Sequence, residues 1–211
     1  GRTLGWEHPA RWGALVDVPK DFQEHDVAIL GRALCSHIES SELAVRGGQL
    51  WERRVLRKRH RTGESFNWDS AKTVLITGGL GSLGRHLTRW LIQTHGMVHL
   101  VLTSRAGPEA PGASEFIAEM SELGGNVQVV ACDLGQLGSV EAVVNTISDE
   151  HPLDVVCHLA GKVDDGLLAG QSAERFEQVM TPKWRGAWHL HQATEKLSLS
   201  GFILYSSIAG M

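Results

Sequence analysis

The sequence is poor in cysteine, and it contains no internal repeat or low-complexity tract. It has three cysteines in 211 residues. Cys35, Cys132 and Cys157 lie far apart and form no Cys-x-x-Cys pair, so neither a disulfide framework nor a zinc knuckle is predicted. We expect all three to be buried thiols.

Long apolar runs and a strong excess of either charge are also missing. No window approaches the roughly 18 uninterrupted apolar residues of a membrane span, and the start has no signal-peptide core, so we expect a cytoplasmic protein without a membrane partner. The net charge of −4 argues against a general polyanion binder. A basic cluster between Arg53 and Arg61 lacks an aromatic or helical reading surface, so we interpret it as a solvated strand edge and linker rather than a nucleic-acid contact.

The first 70 residues are less regular than the rest. Apolar residues at helical spacing predict one face of a helix at Val27, Leu30, Leu34 and Ile38. Two short β-type runs flank Gly47 and Gly48 and predict a hairpin, because glycine accepts the positive φ of a tight turn. Residues 57–72 are polar and rich in turn formers. We therefore predict two regions, residues 1–70 with a linker at their end and residues 71–211.

From Thr73 onward, apolar strand-like runs alternate with amphipathic helical patterns. The five runs are TVLIT, VHLVLT, VQVVA, LDVVCHL and GFILYS. Apolar strands that alternate with helices indicate a parallel sheet covered on both faces. The predicted fold class is α/β with a doubly wound parallel sheet.

A glycine pattern lies between the first of these strands and its helix. Gly79, Gly81 and Gly84 form G-x-G-x-x-G, the spacing that permits a tight turn, a close approach of backbone to a pyrophosphate, and close packing of helix and strand. The helix start offers free N–H groups and the positive end of its dipole to phosphates. This arrangement predicts a dinucleotide site, while turn formation and packing alone are the structural alternative.

The residues that end the second strand indicate which dinucleotide binds. An NAD-binding fold usually carries an acid there for the ribose 2′-hydroxyl. Here the residues are Ser104 and Arg105. A guanidinium suits a 2′-phosphate through charge-assisted hydrogen bonds, so NADPH is the predicted cofactor. A solvated loop cation is the alternative role for Arg105.

The motifs, taken in order, resemble a known family. They are TGGLGSLG, LVLTSRAGP, VACDL, HLAG, VDDGLL, PKWRGAWHLH and FILYSSIAG, with the leader GRTLGWEHPARWGALVDVP. This set resembles the ketoreductase domain of a modular polyketide synthase, within the short-chain dehydrogenase/reductase family, over nearly the whole chain. The resemblance implies a Rossmann-like sheet that is incomplete at its C-terminal side, preceded by part of a smaller α/β structural subdomain, in a chain truncated at both ends.

The same resemblance implies an activity, a cofactor and partners. A β-ketoacyl chain, linked through phosphopantetheine to an acyl carrier protein and flanked by neighbouring synthase domains, would be reduced by NADPH to the β-hydroxyacyl thioester. By position, Lys183 and Ser207 match the family's catalytic lysine and serine. The implied cofactor-binding residues are Thr77, Gly79, Gly81, Ser82, Leu83, Gly84, Ser104, Arg105, Asp133, Leu134, Ala160 and Gly161.

Two further features bear on the expected activity. Asp165 matches the position that marks the B-type stereochemical class, which yields the D-hydroxyl product, although Val163 stands where the family usually has leucine. The family's catalytic tyrosine and asparagine would follow Ser207 at positions beyond Met211. The only tyrosine, Tyr205, is expected to pack in the core. We therefore expect the chain by itself to show no turnover.

Other interpretations stay open at this stage. A non-catalytic nucleotide-binding or scaffolding module would share the glycine turn, as would a nucleotide-sugar epimerase or dehydratase of the extended type, although the leader before the glycine turn argues against the latter. A binder that uses the basic cluster is a third candidate. His189 and His191 lie two residues apart on a predicted helix and face different directions, so no metal site is predicted.

Overall fold

The computed structural model describes residues 2–36, 40, 42–57, 66–68 and 71–207. It contains two compact units, a smaller one of Gly1–Gly63 with Gly166–Gln171 and a larger one of Glu64–Asp165 with Ser172–Met211. The short segment joins the smaller unit because the amide of Leu168 donates to the Glu7 carboxylate at 2.9 and 3.0 Å. The division at residue 70 stays a prediction.

Among its described residues, the smaller unit has a three-stranded sheet, two α-helices, and 3₁₀ helices at Pro9–Arg11 and Leu168–Gly170. The strands are β1 (Leu15–Asp17), β2 (Glu42–Arg46) and β3 (Gln49–Glu52), and the helices are α1 (Arg2–Glu7) and α2 (Glu24–Cys35). β1 is parallel to β2, which pairs antiparallel with β3. The predicted hairpin connects β2 and β3, and its turn residues Gly47 and Gly48 both have positive φ, 54° and 69°.

The apolar face predicted for α2 is wrong in detail. Asp26, Ile29 and Ala33 are its buried residues, whereas Val27 and Leu34 are exposed. The buried Asp26 side chain caps the helix, accepting a hydrogen bond from the backbone N–H of Gln23. Ile38, the last residue of the predicted face, lies outside the described residues.

The larger unit has a five-stranded parallel sheet, which confirms the predicted doubly wound α/β fold. Its strands lie in the order β6-β5-β4-β7-β8, and every neighbouring pair is parallel. Their bounds are β4 Thr73–Thr77, β5 His99–Ser104, β6 Asn126–Ala131, β7 Leu153–His158 and β8 Gly201–Leu204. The order reverses between β4 and β7, the switch point where ligands bind in such sheets.

Helices cover both faces of this sheet. They are α3 (Ser82–His95), α4 (Ala113–Glu122), α5 (Leu137–Asn145), α6 (Ala173–Met180) and α7 (Gly186–Thr194), with a π-helical segment at Thr181–Arg185. Alternate residues of β4 enter different cores: Val74 and Ile76 pack with Leu91 and Phe116, while Leu75 packs in a second cluster with Leu190. Two apolar cores on opposite faces follow from the side-chain period of two in a strand.

Two expectations about single side chains need correction. Cys132 and Cys157 are buried as expected, but Cys35 is exposed at the end of α2. Tyr205 was expected in the core and is 46% exposed. Cys35 is the last residue of α2, and Tyr205 directly follows β8. Within the described residues, no helix has the length and apolar character needed to cross a bilayer.

Candidate cofactor-binding and active site

A tight turn joins β4 to α3. The G-x-G-x-x-G spacing predicted this turn at Gly79, but the positive φ falls on Gly78. Gly78 has φ of 66°, and an added Cβ would lie 2.9 Å from the Cα of Ala160. Gly79 is buried, and its Cβ would lie 2.7 Å from the Cβ of Leu102 on β5. Gly78 therefore makes the turn, and Gly79 allows the turn to pack against the sheet.

The other two glycines shape the start of α3. Gly81 is its N-cap residue and has no side-chain cap, so the amides of Ser82 and Leu83 have no partner within the helix. A Cβ on Gly84 would lie 2.5 Å from the Gly78 carbonyl oxygen. The absence of side chains thus leaves free N–H groups at the positive end of a 14-residue helix, a geometry that fits a phosphate.

A cleft of about 480 Å³ lies in the larger unit, where the carboxyl ends of β4 to β7 meet the π-helical segment. This volume is within the range of about 300–1,000 Å³ typical of ligand pockets. The lining residues that the sequence had predicted are Ser104, Arg105, Asp133, Leu134, Ala160 and Gly161. The cleft thus lies at the switch point of the sheet.

Arg105 and Ser104 follow β5 at one side of the cleft. Arg105 is exposed, whereas the Ser104 hydroxyl donates to the carbonyl oxygen of Gly107 at 3.4 Å. Neither residue places a carboxylate at this end of β5. A negatively charged group in the cleft would therefore meet a guanidinium here rather than an acid.

Asp133 stabilises the loop after β6. Its Oδ1 accepts from the amide of Gly135 at 2.9 Å, and its Oδ2 accepts from the side chain of Gln136 at 3.0 Å. Its own amide is bonded to the Ser139 hydroxyl at 3.0 Å. Leu134 is buried and contributes an apolar wall. The carboxylate therefore shapes the loop that borders the cleft.

Thr77 is not among the residues that line the cleft, and its part in cofactor binding stays a prediction. Its side chain is fully buried, and its hydroxyl oxygen accepts from the amide of Ala160 at 3.3 Å. The backbone amide of Leu159 donates to the Thr77 carbonyl at 3.2 Å. Thr77 therefore holds the loop after β7 in place, and Ala160 and Gly161 of that loop line the cleft.

Lys183 extends from the π-helical segment over the loop after β7. A Cβ on Gly161 would lie 3.4 Å from the Lys183 Cε, so the aliphatic part of the lysine side chain lies against that glycine. The π-helical turn was not predicted from the sequence. Such turns are rare in proteins, and those that occur are often found at functional sites. It is the local feature that directs this side chain toward a residue of the cleft.

Ser206 and Ser207 follow β8 at the carboxyl edge of the sheet and are exposed. The amide of Tyr205 donates to the His158 carbonyl at 3.1 Å, which continues the pairing of β8 with β7 by one residue. The serines thus lie at the same edge of the sheet as the glycine turn and the loop that carries Gly161.

Comparison with known proteins identifies the chain. The family model of the KR domain matches residues 72–211. The chain belongs to the ketoreductase (KR) domains of polyketide synthases. It is 42% identical over 214 residues to polyketide synthase GfsA of Streptomyces halstedii, covering 100% of this chain and 3% of GfsA.

Solved ketoreductases share the KR fold with this chain. An A-type ketoreductase from a modular polyketide synthase is 36% identical and superposes with a TM-score of 0.87 over 99% of this chain and 44% of that chain. The first ketoreductase of the tylosin synthase is 37% identical, with a TM-score of 0.87 and the same two coverages. The chain thus spans less than half of either solved KR structure and a small part of the synthase.

The KR loop that carries Asp165 is held by an arginine. Arg175, on the first turn of α6, donates Nε to Asp164 Oδ2 at 3.0 Å and Nη2 to Asp164 Oδ1 at 2.6 Å. The same Nη2 lies 3.3 Å from the carbonyl oxygen of Asp165. Hydrogen bonding by Arg175 lowers the pKa of the Asp164 carboxyl. Asp165 itself is exposed and does not line the cleft.

The sequence analysis did not predict several residues of this KR site. Gly78 was visible in the Gly-Gly pair after β4, but the G-x-G-x-x-G spacing favoured its neighbour. Lys162 lines the cleft and donates to the Gln178 side chain. Nothing in the local sequence signals Arg175, because its partner lies in a different element. The other lining residues not predicted are Thr103, Cys132, Gly135, Glu177, Gln178, Thr181 and Pro182.

The basic cluster of the KR chain is partly neutralised within the smaller unit. Arg53 pairs with Glu42, and Arg54 pairs with Glu52. Lys58, Arg59 and Arg61 lie outside the described residues. In the part of the chain that the structure describes, no group of three or more metal-ligating side chains occurs. The ion pairs do not favour the interpretation of this cluster as a binding site.

Proposed function

We propose that the larger unit binds NADPH and takes part in reducing a β-ketoacyl thioester to the β-hydroxyacyl thioester. The substrate chain would be carried on the phosphopantetheine arm of an acyl carrier protein, alongside neighbouring domains of a polyketide synthase. The observation that carries this proposal is the cleft at the switch point, bordered by a glycine turn, Arg105 and the loop against which Lys183 lies.

The residues present fit a dinucleotide. The free amides of the α3 start suit its pyrophosphate, and Gly78 leaves the turn without a side chain that would block the approach. Arg105 suits a 2′-phosphate, and no acid ends β5 to oppose one. Ala160 and Gly161 would border the nicotinamide end. When bound, the nicotinamide supplies the hydride.

The chain's own residues would act on the charge that develops at the ketone oxygen. The Lys183 ammonium is a positive charge next to Gly161, and the Ser207 hydroxyl is a hydrogen-bond donor at the carboxyl edge of the sheet. Positioned donors stabilise an oxyanion more in the transition state than in the ground state, which accelerates the reaction. We propose Lys183 and Ser207 in these two roles.

Binding tests the cofactor assignment. Arg105→Ala should weaken NADPH binding about 10- to 100-fold, the loss of one hydrogen bond to a charged group, and leave NADH binding nearly unchanged. Lys196→Ala removes an exposed cation away from the cleft and is the matched control. Isothermal titration calorimetry on the 211-residue chain measures both. Tighter binding of NADH than NADPH by the unmodified chain would contradict the assignment.

Asp165 supports a B-type stereochemical assignment. We propose that the substrate enters on the side that gives the D-hydroxyl product, with Val163 in place of the usual leucine. The A-type class of the solved ketoreductase is a property of that protein. Chiral analysis of the product from the whole synthase tests the assignment, and an L-alcohol as the main product would contradict it.

The catalytic test needs more than these 211 residues. We propose that the 211-residue chain alone does not turn over ketones, because it has no counterpart of the tyrosine expected from the family. Lys183→Ala and Ser207→Ala in the whole synthase should each lower the rate of ketone reduction about 100-fold or more. NADPH binding by a synthase that never reduces a ketone would instead support a non-catalytic nucleotide-binding module.

A further inference from the structure

Two buried polar residues lie side by side beneath the loop that lines the cleft. Thr77 ends β4 and His158 ends β7, and the sheet register places them opposite each other. Thr77 is fully buried and His158 is 5% exposed. The Thr77 Oγ1 and the His158 Nδ1 are 2.7 Å apart. A buried polar pair on two central strands needs a complete set of partners.

Hydrogen-bond donors and acceptors fix which nitrogen of the neutral His158 ring carries the proton. The Thr77 oxygen accepts from the Ala160 amide at 3.3 Å, and the His158 Nε2 lies 3.2 Å from the Lys183 carbonyl oxygen. A carbonyl oxygen cannot donate, so the imidazole must carry its proton on Nε2. Nδ1 is then an acceptor and takes the single hydroxyl proton of Thr77. Only this tautomer of the neutral ring satisfies all three contacts.

The last acceptor in this series belongs to an irregular turn. Lys183 lies in the π-helical segment Thr181–Arg185, and its carbonyl oxygen also accepts from the amide of Gly186. Gly186 is buried, and a Cβ there would lie 3.3 Å from the His158 Cε1. The ring of His158 is therefore packed against the turn as well as bonded to it. Moving the ring would move the backbone of Lys183.

We propose that Thr77 and His158 form a positioning relay that holds the π-helical turn and thereby directs the Lys183 ammonium toward the reacting carbonyl. The relay runs from the loop after β7, through both side chains, to the Lys183 backbone. It rests on the proposed function, because the role of Lys183 does. The relay couples the residue that acts on the substrate to the two strands that form the floor of the cofactor site.

Burial of the His158 ring also favours its neutral form. It lowers the pKa of His158, while hydrogen bonds from the ring to the Lys183 and Pro182 carbonyls oppose this shift. The imidazole is thus kept in the neutral form that the relay requires. A protonated ring would present Nδ1 as a second donor and lose the bond from Thr77.

The first test follows the turn itself. Hydrogen exchange by mass spectrometry on the 211-residue chain compares Thr77→Val and His158→Leu with Thr73→Val, which removes a buried, bonded hydroxyl from the other end of β4. The two relay variants should accelerate exchange of residues 181–186 about tenfold relative to the rest of the larger unit. Thr73→Val should leave that ratio unchanged. An unchanged ratio in both relay variants overturns the inference.

The second test connects the relay to turnover. In the whole synthase, Thr77→Val should lower kcat for ketone reduction about 10-fold, with the KM for NADPH within about twofold of its original value. Thr77→Ser and His158→Gln keep the required donors and acceptors and should restore most of the rate. Failure of both conservative variants to restore the rate overturns the relay. If exchange responds but the unmodified synthase reduces no ketone, the hold of Thr77 and His158 on the π-helical turn is supported, while the catalytic role of Lys183 and the proposed function fail.

Discussion

The Arg175 guanidinium holds the Asp164 carboxylate with two parallel hydrogen bonds, Nε to Oδ2 at 3.0 Å and Nη2 to Oδ1 at 2.6 Å. This fork fixes the loop to α6 immediately before Asp165. Lysine cannot reproduce the fork, because its ammonium is a single point of charge. The residue proposed to direct the substrate is therefore anchored by its neighbour in the chain.

Replacement of Arg175 should disturb stereochemistry more than cofactor binding. Arg175→Lys in the whole synthase should raise the minor alcohol several-fold, while NADPH affinity of the 211-residue chain stays within about twofold, because the fork does not reach the glycine turn. Chiral chromatography of the product and calorimetry measure the two effects. Lys196→Ala is the control for a lost surface cation. A loss of NADPH affinity as large as the loss of stereoselectivity would contradict a selective role for the fork.

The turn at Gly78 should tolerate no side chain. Gly78→Ala should lower the free energy of unfolding by about 2–4 kcal/mol, because positive φ and a clash add together. Gly96 has φ of 61° with open space around it, so Gly96→Ala should cost only about 1 kcal/mol. Urea unfolding measures both, and NADPH titration should show weaker binding only for Gly78→Ala. Similar losses of stability in the two variants would show that the approach of Ala160 does not matter.

The three thiols should differ sharply in reactivity. Burial raises the pKa of Cys157 to about 12 and also raises that of Cys132, so neither forms much thiolate near pH 8. Cys35 is exposed. Iodoacetamide at pH 8 should therefore alkylate Cys35 in the folded chain and the other two only in urea. Mass spectrometry locates the modified residues. Rapid labelling of folded Cys157 would contradict the packing of β7.

Two histidines should make the chain less stable in mild acid. Burial lowers the pKa of His158 and of His99. His151 lowers the pKa of His99 further, and the centroids of these two stacked rings are 3.7 Å apart. A lowered pKa means that the unfolded chain binds more protons. The free energy of unfolding therefore carries no penalty from these histidines above their ordinary pKa of 6.5, and it falls as the pH drops below that value.

Chemical denaturation between pH 7.5 and 5 measures this loss. The window lies above the ordinary values of Glu42, Glu119 and Asp164, whose lowered pKa makes them lose their contribution only at more acidic pH. His99→Phe should keep the ring and reduce the slope of stability with pH. His86→Phe, on the exposed side of α3, is the control. A slope that His99→Phe leaves unchanged would contradict the contribution of His99.

Much of the larger unit was predictable because its strands and turns are encoded in short, continuous stretches of sequence. Each strand reads as an apolar run, and the side-chain period of two explains why Val74 and Leu75 enter different cores. The glycine turn and Arg105 follow strands directly, so the position in the chain gives the position at the sheet edge. Parallel topology then brings those edges together.

The remaining features depend on contacts between distant residues. The bond from Thr77 to His158 exists because β7 crosses to the far side of β4, which no window of sequence contains. The pair of Arg175 and Asp164 joins a helix to a loop. The π-helical turn was not predicted, and Gly186 at its end packs closely against Leu134 and His158, which are distant in sequence.

The central place of β4 has a consequence for synthesis of the chain on the ribosome. β4 is the first of the five strands to be translated, and all five of its residues are buried in the folded sheet. β5 follows closely and covers one side. The other side must wait for β7, which emerges only after β6 and α5 have been made. Until β7 has been made, one edge of β4 therefore has no partner strand, and an unpaired strand edge is a site at which other chains can pair.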